Sequence, residues 1–170
     1  MNFSVGERVV YPNHGVGVIE EISQRELTGR KEAFYLLRIL SNGVTVMIPQ
    51  NNADEIGLRR LIKREEVSKL LDQLGSSKVS NHSDWKNRFK ENSDKMRTGC
   101  IFQVAEVLKG LSHLSHDRVL SFREKRMLDK ARYLLVSEVA VVENVPEAKA
   151  EEIVDRALQG VAARKANAAV

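Results

Sequence analysis

The chain has 170 residues, of which 42% are hydrophobic and 29% charged, and its net charge is +4. That length allows one domain or two small ones, and the single cysteine, Cys100, excludes an intramolecular disulfide and any multi-cysteine zinc site. No stretch approaches the apolar length that spans a bilayer, and the opening MNFSVGERVV lacks the basic and apolar regions of a signal peptide, so a cytoplasmic protein with no membrane partner is expected.

The first fifty residues predict short strands. Val5–Tyr11 is β-branched and stops at Pro12, Asn13-His14-Gly15 makes a turn, and Val16–Ile22 follows. Thr28-Gly29 marks the next turn. Ala33–Leu40 and Val44–Pro49 then flank Ser41-Asn42-Gly43, and Asn-Gly between apolar runs is a strong hairpin signal. Four or five short strands with tight turns predict a small closed barrel of the SH3 or Tudor type. A module with so thin a core is typically a binding unit.

From about Gly57 the apolar period changes from two to 3.6. Ile62–Leu74 reads as an amphipathic helix closed by Gly75. The polar run from Ser76 to Ser83 reads as a loop. Asn81 or Ser83 is placed to cap a helix from Trp85 to Arg97, closed by Gly99. A further helix is expected over Ile101–Lys109, ended by Gly110. Ser121-Phe122-Arg123-Glu124 is a capping box opening the longest helix, through about Glu143. Pro146 precedes a last helix to about Ala163, with a frayed tail over 164–170. The expected architecture is α+β: a Tudor-like barrel over residues 1–55, then an all-α domain over 56–163.

No catalytic constellation emerges. Gly15 and Gly17 form only Gly-Val-Gly, with no third glycine and no following helix, so a dinucleotide or phosphate loop is not expected. His14, His82, His113 and His116 have no carboxylate or cysteine at ligand spacing, and two histidines three apart are a weak metal signal. The expectation is a binding protein, not an enzyme, without cofactor or metal.

Charge is unevenly spread. Residues 1–62 hold seven Lys/Arg and seven Asp/Glu, residues 83–132 twelve against seven, and residues 133–160 two against six. The positive middle segment contains the only tryptophan, Trp85, followed by Lys86, Arg88 and Lys90. Two readings are open. Trp85, Phe89, Asn92 and Met96 share one helical face, so Trp85 can be the first core residue of that helix. Alternatively it is an exposed aromatic framed by cations, which suits a nucleic acid: cations attract phosphates regardless of sequence, and an apolar wedge can unstack a base step from the minor groove.

Several segments converge on a resemblance. VGERVVYPNHGVG from Val5, WKNRFK from Trp85, AEVL from Ala105 and LSFREKRMLDKAR from Leu120 occur in that order. Together they resemble the CarD/CdnL family of bacterial RNA polymerase-binding transcription regulators, from about Asn2 to Leu158. The opening motif alone also resembles the polymerase-interacting module of the transcription-repair coupling factor.

The resemblance implies a Tudor-like module that docks on the β subunit of RNA polymerase. It implies a helical domain that contacts promoter DNA at the upstream edge of the melting bubble, stabilising the open complex. The family tryptophan falls on Trp85 and acts as a minor-groove wedge. Basic family positions match Arg88, Lys90 and Lys125. Asn87 stands where some relatives carry arginine, and Lys86 is placed to compensate. Arg123, Lys125 and Arg126, in the first turns of a helix, also form a reasonable phosphate site, or else pair with Glu124 and Asp129 on the helix surface. In the strand-rich module Arg25 matches a polymerase-contacting arginine, whereas Met47 stands where some relatives have arginine. Thr45 to Pro49 is the natural strand for edge-to-edge docking. A monomer on polymerase, nucleoid-associated through it, is the expectation. A free-standing operator-binding regulator and a polymerase-binding module without DNA contact are the alternatives.

Overall fold

The computed structural model describes residues 1–76, 79 and 84–160. The expected caps Asn81 and Ser83, most of the loop around them, His82 and the tail lie outside the described residues. The chain divides into two compact units, Met1–Leu61 and the part from Ile62 onward.

The first unit is a five-stranded antiparallel sheet in the order β4-β3-β2-β1-β5. β1 (Arg8–Tyr11) ends at Pro12, and the chain turns through Asn13 and Gly15 into β2 (Gly15–Leu27). Thr28 and Gly29 both have positive φ, 52° and 78°, as a two-residue type I′ hairpin turn requires, and lead into β3 (Arg30–Ile39). At the next hairpin the Asn42 side chain accepts the Val44 N–H at 3.0 Å, and β4 (Thr45–Pro49) follows. A single 3₁₀ turn (Gln50–Asn52), α1 (Ala53–Ile56) and β5 (Arg59–Arg60) complete the unit.

β5 pairs with β1, Val9 opposite Arg60, and Leu58 joins Phe3, Val9, Ile19, Tyr35, Leu37, Ile39, Ile48 and Ala53 in one apolar core. The first unit therefore extends to Leu61, six residues past the boundary expected from the change of period. Gly17 has a packing role: a Cβ there would lie 2.7 Å from the Leu37 side chain, so β2 and β3 approach closely only over a glycine. The register slips between Ile19 and Glu21. Beyond that bulge β2 leaves the core, and nearly all of Glu20–Leu27 is exposed.

The second unit contains, among the described residues, α2 (Arg64–Gly75), α3 (Trp85–Arg97), α4 (Ile101–Asp117), α5 (Phe122–Glu143) and α6 (Glu147–Leu158). α4 does not end at Gly110. Leu108, Leu111 and Leu114 carry its buried stripe past the glycine, and that packing outweighs a helix penalty of about 1 kcal/mol. Most of the core comes from α2, α4 and α5. α3 contributes only Met96 to it.

Candidate nucleic-acid interface

Trp85 is the first residue of α3. Asp84 caps the helix, accepting the Lys86 N–H at 3.1 Å. The face shared by Trp85, Phe89, Asn92 and Met96 divides along its length. Met96 and Asn92 are buried, Phe89 is partly buried, and Trp85 at the head is 46% exposed. Lys86, Asn87 and Lys90 are exposed around it.

Arg88 departs from the expectation of a phosphate contact. Its side chain is 4% exposed, and its guanidinium donates from Nε to Glu124 Oε2 at 2.8 Å and from Nη2 to Oε1 at 3.1 Å. Glu124 is equally buried. Hydrogen bonding to Glu124 raises the Arg88 guanidinium above its ordinary range. The same bond holds the Glu124 carboxyl below the usual range, against the opposing effect of burial. A two-point arginine–carboxylate fork is a strong, directional contact, so Arg88 is committed to the interior.

The partner of that fork lies in the first turn of α5. The Ser121 hydroxyl caps α5 by accepting the Glu124 N–H at 3.2 Å. The Glu124 carboxylate turns towards Arg88, whereas a full capping box would return it to the Ser121 N–H. Of the two carboxylates expected to pair with the α5 cations on its surface, Glu124 is thus removed. Arg123, Lys125 and Arg126 are exposed. The Arg123 guanidinium lies 6.0 Å from the Phe89 ring centroid, a second link between α3 and α5.

One residue at this site was not singled out from the sequence. Phe122, the first residue of α5, is 73% exposed, with the Arg126 guanidinium 5.6 Å from its ring centroid. A signal for it exists. The buried stripe of α5 runs back through Leu135, Ala131 and Leu128 to Glu124, and Phe122 falls off that stripe. Two helices thus begin with an exposed aromatic, and their first turns are linked by a buried ion pair. Helix N-termini favour phosphate through their free N–H groups and dipole.

In the first unit β4 is an edge strand. Thr45 and Met47 are exposed, Pro49 is partly exposed, and Ile48 points into the core. Arg25 is exposed on β2, opposite Glu32 of β3. Phe34, two residues along β3, pairs with Pro49, so the register brings Arg25 towards the Pro49 end of the edge strand.

Two family models cover the chain. Residues 3–62 match the CarD-like/TRCF RID domain, and residues 54–155 match the CarD C-terminal domain. The protein named "Putative transcription factor YdeB" from Bacillus subtilis (strain 168) is 32% identical over 145 residues, covering 85% of this chain and 95% of that protein. Among solved structures, CdnLNt from Myxococcus xanthus is 44% identical, covering 36% of this chain and 87% of its own, with a TM-score of 0.32. With a family model on each of its two units and a relative matched along most of its length, the chain belongs to the CarD/CdnL family of bacterial RNA polymerase-binding transcription regulators.

Proposed function

We propose that the chain docks on the β subunit of RNA polymerase through the β4 edge and Arg25, and sets Trp85 against promoter DNA at the upstream edge of the opening bubble. Lys86, Lys90, Arg123, Lys125 and Arg126 supply phosphate attraction around the aromatic, and Phe122 adds a second apolar surface. Arg88 is not part of this contact set. The observation that carries the reading is a half-exposed tryptophan at a helix head with exposed lysines one and five residues on.

Tethering to polymerase makes the DNA contact effectively intramolecular, so weak intrinsic DNA affinity suffices. Contacts made to opened DNA and not to closed duplex shift the equilibrium towards the open complex. A differential of about 1.4 kcal/mol changes it tenfold. No array of base-reading side chains is apparent among the described residues, so promoter choice comes from the polymerase and from DNA deformability.

The test is the lifetime of competitor-challenged open complexes with wild-type protein and Trp85→Ala. The variant is expected to keep polymerase binding and most of its fold stability while shortening the lifetime. An unchanged lifetime refutes the wedge. A stability loss of about 3–5 kcal/mol, typical of truncating a core tryptophan, returns Trp85 to the interior.

A further inference from the structure

We infer that Arg88 and Glu124 are a positioning pair, which fixes the head of α3 on the head of α5 so that Trp85 and the α5 cations meet one DNA segment together. This inference rests on the DNA reading of Trp85 and goes beyond it, because neither residue touches the nucleic acid.

Met96 is the only residue of α3 in the apolar core of the unit. Trp85 lies eleven residues earlier, about 16 Å along the helix axis. Asn92 and Arg88 are the other buried residues of α3, and both are polar. The described contacts that reach the head of α3 from α5 are the Arg88–Glu124 fork and the Arg123–Phe89 contact. The Trp85 end is therefore tied to α5 by a directional polar clamp, whereas Met96 near the far end is held by apolar packing.

The clamp has the geometry of a locating device. Arg88 stands one turn beyond Trp85 and Glu124 two residues beyond Phe122. Nε and Nη2 engage the two carboxylate oxygens separately, which fixes the mutual rotation of the two groups as well as their distance. Glu124 is itself held from behind, its N–H and one carboxylate oxygen bonded to the Ser121 hydroxyl. Buried ion pairs add little net stability over apolar replacements, but functional groups need support that locks their orientation.

Three properties are compared in the full-length protein: the unfolding midpoint, acrylamide quenching of the sole tryptophan, and open-complex lifetime with RNA polymerase. The variants are Glu124→Gln and the apolar double replacement Arg88→Met/Glu124→Leu. The double variant is expected to regain a wild-type midpoint, because similar-sized apolar groups substitute well for a buried pair. It should nevertheless keep altered Trp85 quenching and a lifetime shortened about tenfold, equivalent to ~1.4 kcal/mol. Glu124→Gln should also alter quenching and shorten the lifetime.

Recovery of quenching and lifetime along with the midpoint in the double variant would show a merely structural pair and overturn the inference. Glu124→Gln with unchanged quenching and a longer lifetime would mean that Arg88 is a phosphate contact restrained by Glu124, which overturns it equally. Quenching is measured without DNA. If Trp85→Ala leaves the lifetime unchanged, the DNA reading fails, while quenching still decides whether the pair orients the head of α3.

Discussion

Arg88 and Glu124 stand 36 residues apart in the chain and meet through two hydrogen bonds in the interior of the helical unit, each side chain 4% exposed. Within this positively charged segment, the second basic residue after the tryptophan is therefore neutralised in place. The exposed positive charge falls to residues on either side of it and to α5.

Arg88→Ala is expected to destabilise the protein by about 3–5 kcal/mol, because it leaves the Glu124 carboxylate buried without its partner. Lys90→Ala, an exposed substitution five residues from Trp85 on the same helix, should stay within about 0.5 kcal/mol of wild type. Urea unfolding of the two variants measures both. Equal stabilities would place Arg88 on the surface.

The same pair sets an acid limb. Hydrogen bonding from Arg88 lowers the Glu124 carboxyl below its unfolded value, so the folded state binds fewer protons and gains stability from ionisation. The gain is fully present above the unfolded carboxylate range and is lost as pH falls through the depressed folded value. Between neutral pH and the acid transition, Glu124→Gln should show a flatter stability profile than wild type. Parallel profiles in stability against pH would remove Glu124 from the acid-sensitive groups.

Asn92 is buried one turn beyond Arg88, and its amide nitrogen has no hydrogen-bond partner among the described residues. An unsatisfied buried donor costs about 1–3 kcal/mol. Asn92→Leu, close in volume and facing Met96 along the same stripe, is expected to raise stability by about 1 kcal/mol. A destabilised variant in thermal unfolding would mean that the amide is satisfied in solution.

Local chemistry was legible where a turn or cap depends on adjacent residues. Asn42-Gly43 and Thr28-Gly29 specify their hairpins, and Ser121 caps α5 as its spacing suggests. Distant partners were not legible. β5 is only two residues long and finds β1 some fifty residues earlier, so the period change at Gly57 gives no sign of the pairing that carries the first unit past it. Arg88 reads as a surface cation because its carboxylate lies on another helix. Gly110 reads as a stop because the packing that carries α4 through it involves α5. Phe122 was absorbed into a capping motif, although that motif fixes only the backbone of its neighbours and leaves the ring outward.

The exposed cations are expected to act additively and without sequence preference. Replacing Lys86, Lys90 or Lys125 by alanine should weaken duplex binding across all sequences. Each replacement should lower the slope of log affinity against log salt by roughly one phosphate equivalent. Fluorescence anisotropy titrations over a salt series measure this. Discrimination of about 10³-fold or more for one operator without polymerase would instead favour a free-standing regulator.

Residues 1–61 should fold alone, whereas residues 1–55 should not. The shorter fragment loses Leu58 from the core and the β5–β1 pairing. It also loses Arg60, which ion-pairs with Glu7 at 2.6 Å, donates to the Asn2 carbonyl at 3.0 Å and lies 5.4 Å from the Phe3 ring centroid. Losing a buried leucine alone costs about 2–5 kcal/mol, a large share of what so small a unit has in reserve. Circular dichroism melts of the two fragments decide the boundary, and equal cooperativity would restore it to residue 55. If the longer fragment folds, it should bind the isolated β lobe, and Arg25→Glu should weaken that binding without changing the melt. Arg25 is exposed on a ribbon beyond the core, so its charge can be reversed without disturbing packing. Unchanged affinity for the lobe would remove Arg25 from the docking surface and leave the β4 edge to carry it through backbone hydrogen bonds.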